Sequence, residues 1–151
     1  YHVRDVMSSC AQTLYALRVL RAHGMCQTAL QAIFRSVVIA KLLYASSAWC
    51  GFIKATDRQR VDAYLRRCTR CGFSSPDQQT FAEQCAAVDE QFFRKIQHNE
   101  NHVLYSLLPP PSIASQNYNL RPRTHTKQLP QHSGHLTDSN FTTRMLYTDI
   151  Y

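Results

Sequence analysis

The chain has 151 residues, a formal net charge of +7, six cysteines and four glycines, with apolar residues making up 44%. That length fits one modest domain, or one domain with an extension. The apolar share excludes a wholly disordered chain, the cysteines are too sparse for a disulfide scaffold, and so few glycines exclude a glycine-rich phosphate-binding protein.

The first element expected is a helix over Val3 to Ala22. Val3, Val6, Met7, Cys10, Leu14 and Leu17 recur at three- and four-residue steps on one face. Gly24 suits the left-handed position beyond its end. A second helix is expected from Gln27 to Trp49, apolar on nearly all sides and therefore central in a bundle. Its apolar run, Val37 to Ile53, is broken by Lys41, Ser46 and Ser47 and reads as a packed core helix rather than a membrane span. Gly51 is expected to end it.

Thr56 and Gln59 read as a capping box opening a third helix. Val61, Tyr64, Leu65 and Cys68 form its apolar face, Arg66 and Arg70 project four residues apart on the other side, and Gly72 stops it. A turn over Ser74 to Asp77 leads to a fourth helix, opened by Thr80 and Glu83 as a second capping box. Phe81, Cys85, Val88, Phe92 and Ile96 give its inward face. A short helix is expected over Asn101 to Leu108. Pro109, Pro110 and Pro111 break the pattern, and Ser112 to Asn140 shows no sustained apolar period. Phe141 to Tyr151 regains aromatic and apolar residues. The expected fold is all-α: a small bundle of four to five helices over 1–108, a linker or irregular tail over 109–140, and a short aromatic element over 141–151.

Charge is uneven along this order. No acidic residue occurs between Val6 and Thr56, and the first 72 residues hold 11 Lys and Arg against 3 Asp and Glu. A basic half focuses positive potential and invites a polyanion. Arg35, Lys41, Arg60, Arg66, Arg67, Arg70, Arg121 and Arg123 are the candidate contacts to RNA, DNA or an RNA–DNA duplex. Lys41 also reads as a lysine whose stem lies along the bundle edge with its ammonium in water.

Catalytic patterns are missing from the sequence. No Gly-x-Ser-x-Gly elbow or Gly-rich phosphate loop occurs, and Asn99 stands where a zinc-protease helix would need Glu between His98 and His102. Asp89 and Glu90 are adjacent and diverge on a helix. Cys68, Cys71, Cys85 and His98 are the zinc candidates by residue type, but Cys68 and Cys85 fall on inward faces, where neutral thiols act as small apolar side chains. No metal site is therefore expected. Tyr1 to Ser9 carries no secretory pattern, so free thiols and an intracellular location, in cytoplasm or nucleus, are expected, with no membrane partner.

Several separated runs carry a resemblance: Leu17-Arg-Val-Leu-Arg-Ala-His-Gly24, Ala40-Lys-Leu-Leu-Tyr-Ala-Ser-Ser-Ala-Trp49, Gly51-Phe52, Asp57-Arg58-Gln59-Arg60, Leu65-Arg66-Arg67, Asn101-His102-Val103-Leu104, Asn117-Tyr-Asn-Leu-Arg-Pro-Arg123 and Asn140-Phe-Thr-Thr-Arg-Met-Leu-Tyr147. Together they resemble the region after the polymerase core in reverse transcriptases of non-LTR retrotransposons, the jockey-like class. The resemblance implies a carboxyl-terminal fragment with a thumb-like helical region that grips RNA or an RNA–DNA duplex beside an upstream polymerase domain. The Tyr or Phe-x-Asp-Asp box that would hold Mg²⁺ in the parent polymerase is not in this chain, so the piece is expected to be inactive alone. The cysteines do not reproduce the compact cysteine–histidine knuckle of some relatives. The other readings are a helical protein-interaction module, presenting Phe141, Met145, Leu146 and Tyr147 to a partner, or a non-functional retrotransposon remnant.

Overall fold

The computed structural model describes residues 2–113 and 125–148. The fold is all-α: among the described residues no strand forms, and one isolated bridge pairs Pro111 with Lys127. The chain divides into two compact units, residues 1–46 with 53–86, and residues 47–52 with 87–151. All three points where the chain passes from one unit to the other fall inside the stretch read from sequence as one bundle.

In the first unit, α1 (His2–Ala22) buries Cys10, Leu14 and Leu17, the face read from its spacing. It packs against α2 (Gln27–Ile33) and α5 (Ala55–Arg70). Positive φ at Gly24 (+88°) and Gly72 (+79°) lets the backbone leave α1 and α5 in the left-handed conformation. Cys71 and Gly72 close the end of α5, where carbonyls lack intrahelical partners. Arg21 Nη1 donates to Cys71 O (2.7 Å) and Gln27 Nε2 donates to Gly72 O.

The second expected helix is not one helix. α2 passes into a π-helical segment over Phe34–Ile39, then α3 (Ala40–Leu43), a break, α4 (Ser46–Trp49) and a 3₁₀ turn over Cys50–Phe52. Nor is it buried all round. Leu30, Phe34, Val38, Leu42 and Ser46 are buried while Val37 and Tyr44 are exposed. Those buried positions are four apart. At 3.6 residues per turn each such step drifts about 40° around the helix, so a stripe of four would spiral off its face. A π turn winds more slowly and returns it. Ala45, at φ 49°, then stops the helix outright. The run Gln27–Phe52 is still long and apolar enough to cross a membrane by length and composition, with mean hydropathy 1.3 and 22% of that window buried.

α5 begins at Ala55, with extended Lys54 as its cap and no capping hydrogen bond from a side chain. The box expected from Thr56 and Gln59 is therefore not formed, because Thr56 is already inside the helix. The second box does form. Thr80 N donates to Glu83 Oε2 (2.8 Å) and Glu83 N to Thr80 Oγ1 (3.3 Å), opening α6 (Phe81–Gln97). Val61, Tyr64, Leu65, Cys68, Phe73, Phe81 and Cys85 complete this unit's core.

The second unit centres on Phe93, Met145 and Leu146, with Leu108, Leu129 and Phe141 packed on them. The inward face of its part of α6 differs from expectation. Asp89 and Phe93 are buried, whereas Val88 and Phe92 are partly exposed. The helix expected over Asn101 to Leu108 is reduced to a 3₁₀ turn, Tyr105–Leu107, with Val103 exposed. The tail is more than a linker: His125 is buried, and its Nε2 donates to Leu146 O (2.8 Å). α7 (His135–Asp138) precedes α8 (Phe141–Tyr147), which Asn140 caps by accepting from Thr142 N (2.9 Å). Met145 and Leu146, expected on the interaction-module reading to face a partner, are in this unit's own core.

Gly51 does not act as a left-handed stop. A Cβ there would overlap Ser139 O, so glycine permits the Cys50–Phe52 turn to lie against the Ser139 backbone.

Candidate nucleic-acid interface

Arg66 and Arg70 of α5 line a cleft of about 560 Å³. One wall is helical: Asp62, Arg66 and Arg70 follow one another at four-residue steps, with Leu65 and Thr69 between them. The other wall is the turn Pro76, Gln78, Gln79 and Thr80 that leads into α6. Asp62 fixes the two walls together, because its Oδ1 accepts from Phe81 N at 2.8 Å. The capping box secures the turn on its other side. Hydrogen bonds from the Thr80 backbone N–H and its hydroxyl hold the Glu83 carboxyl below the usual carboxylate range.

Arg66 and Arg70 are exposed, and among the described residues neither is in an ion pair. A second cleft, about 310 Å³, is bordered by Arg35, Phe34, Phe73 and Gln78. Gln78 lines both clefts, so residues of the stretch from Phe73 to Thr80 border one cleft with Arg66 and Arg70 and another with Arg35.

The remaining candidates do not join this arrangement. Lys41 Nζ donates to Ser9 Oγ (2.6 Å) at an exposed position, in keeping with a lysine lying along the edge of the bundle. Arg60 pairs with Asp57 (3.3 Å), an exposed pair of little energetic weight. Arg67 borders neither cleft. Arg121 and Arg123 lie outside the described residues. The sequence reading missed Asp62, Gln78 and Gln79. Asp62 was findable, since it precedes Arg66 by one helical step.

The zinc candidates are placed differently. Cys68 and Cys85 are buried, and none of the six cysteines is in a disulfide. Burial pushes the Cys68 thiol up to about 11, and burial raises Tyr64 and Cys10 as well. Tyr64 Oη donates to Cys10 O (2.7 Å), so this cluster is packed as neutral core. Cys71, half-buried, accepts from Arg18 Nη2 (3.7 Å). His98 belongs to the second unit and its Nδ1 donates to Arg94 O (2.7 Å). Among the described residues no three His, Cys, Asp or Glu side chains gather as metal ligands.

Among the described residues, Asp89 and Glu90 do not fit a paired-Mg²⁺ centre. Two ions at a phosphoryl centre need converging carboxylates. Asp89 is instead buried against Arg144 (2.8 Å), and Glu90 is at the surface paired with Arg94.

Compared with protein-family models, curated proteins and solved structures, the chain matches none.

Proposed function

We propose that the chain is a non-catalytic, nucleic-acid-binding helical region of an RNA-directed DNA polymerase of the non-LTR retrotransposon type. It holds RNA or an RNA–DNA duplex through backbone contacts beside an upstream polymerase domain, whose residues would supply the Mg²⁺ ligands. The observation that carries this reading is the pair Arg66 and Arg70, exposed on one face of α5 and without acidic partners among the described residues. The unit that bears them holds eleven Lys and Arg against five Asp and Glu. Guanidinium groups bind phosphate bidentately, and phosphate contacts fix position without reading sequence.

The test is a salt series read by fluorescence anisotropy with an RNA–DNA duplex. Changing Arg66, Arg67 and Arg70 together to alanine should weaken binding about equally across sequences. It should also reduce the slope of log affinity against log salt by up to about 3, near one per lost phosphate contact. An unchanged slope rejects these residues as phosphate contacts.

A further inference from the structure

At about 560 Å³ the α5 cleft is too small to enclose a duplex, and its walls are chemically graded. Asp62, half-buried, stands at one end of the helical wall and Arg70 at the other, about 12 Å apart along the axis. Leu65 and Pro76 give apolar surface between them, and Gln79 offers an exposed side-chain amide from the facing turn. Asp62 Oδ1 is committed to Phe81 N, which leaves Oδ2 as an acceptor.

A site with only guanidinium groups would suit any anion. A carboxylate in the same cleft opposes a bare phosphate but accepts from an amino group. The combination matches a ligand that is anionic at one end, carries N–H donors at the other and has a flat apolar face in between.

We propose that this cleft takes one unpaired nucleotide, at a strand end or bulged from a duplex, with its phosphate on Arg66 and Arg70 and an amino-bearing base against Asp62. The inference rests on the nucleic-acid reading above and gives it a second, base-dependent component. Unpaired bases expose the edges that a paired strand hides, and an amino group separates adenine, guanine and cytosine from uracil and thymine.

The experiment compares the full chain binding a blunt RNA–DNA duplex with the same duplex carrying one unpaired A, or one unpaired U, at each end in turn. An unpaired A at one of the ends should raise affinity about fivefold over blunt, roughly 1 kcal/mol by the tenfold-per-1.4 relation, and U should give a smaller gain. Asp62→Asn keeps an acceptor for Phe81 N and should bring the A-to-U ratio to about one. Gln79→Ala, at an exposed position, provides a second variant that should lower the gain from an unpaired A. Equal affinity for blunt, A-tailed and U-tailed duplexes overturns the inference while leaving backbone binding intact. Binding of tailed duplexes alone supports the cleft and rejects backbone gripping of the duplex. Binding of none of the three rejects both.

Discussion

Arg66 and Arg70 of the first unit and Arg144 of the second are used in opposite ways. The first carries eleven Lys and Arg against five Asp and Glu, and the second carries six against five. In the first, Arg66 and Arg70 are exposed at a cleft. In the second, Arg144 has lost most of its exposure and pairs with Asp89, whose side chain is 2% exposed. Arg144 also donates to Ser47 O (3.4 Å), while Asp89 Oδ1 and Arg144 Nε are buried without partners among the described residues. A surface guanidinium remains solvated and free to meet an anion. A buried one is a structural commitment that its partner must neutralise.

The sharpest way to break this contrast is to remove charge from each unit. Asp89→Ala leaves a guanidinium uncompensated in a largely buried place and should cost about 3–5 kcal/mol. Replacing the pair jointly, Asp89→Leu with Arg144→Met, should recover much of that loss, since the uncompensated charge goes as well. Arg66→Ala with Arg70→Ala should change stability by less than about 0.5 kcal/mol, because neither is tied into a core. Urea unfolding of the three variants measures all of this. Equal losses from both units would mean that the first unit's arginines are also structural.

Alkaline unfolding sharpens the comparison from the side of the first unit, whose core holds neutral thiols and a phenol. The folded Cys68 thiol is pushed up to about 11 from an ordinary 9.0, so the unfolded chain releases its proton first. Stability from this group is complete below pH 9 and falls as pH rises from 9 to 11, by up to about 3 kcal/mol. Tyr64, raised in the same direction by burial, extends the loss to higher pH. Cys68→Ala should flatten the decline between pH 9 and 11 in urea midpoints. A slope equal to that of the parent chain would place the alkaline sensitivity elsewhere.

What sequence could show follows from the same distinction. α1, α5 and α6 were legible because apolar side chains recur at 3.6-residue spacing, and Glu83 announced its cap. Arg66 and Arg70 were legible as a pair because helical geometry alone sets their direction. The second helix was misread because four-residue spacing imitates an α-helical face for a few turns, and only tertiary packing reveals the π segment. Asp89 was not among the inward residues read from sequence, because a carboxylate normally marks the solvent side, although it lies four residues after Cys85 and four before Phe93. His125 and the far wall of the cleft could not be read at all. They depend on where a turn and a tail fold back, which no local period encodes.

A smaller effect is expected at Ala45, where the helical run that begins at Gln27 stops. Its φ of 49° puts an L residue in the left-handed region, where Cβ crowds the backbone. Glycine would relieve that crowding but would also give the unfolded chain more freedom, which offsets part of the gain. Ala45→Gly should therefore stabilise by about 0.5–1 kcal/mol, read as a raised urea midpoint with unchanged steepness. A β-branched residue tolerates this region worse, so Ala45→Val should lower the midpoint. If glycine destabilised and valine did not, the chain would be continuing as helix through residue 45. The four-residue stripe from Leu30 would then have to spiral out of the core. The interruption is thus a necessary part of how this sequence keeps one face of an apolar run inside.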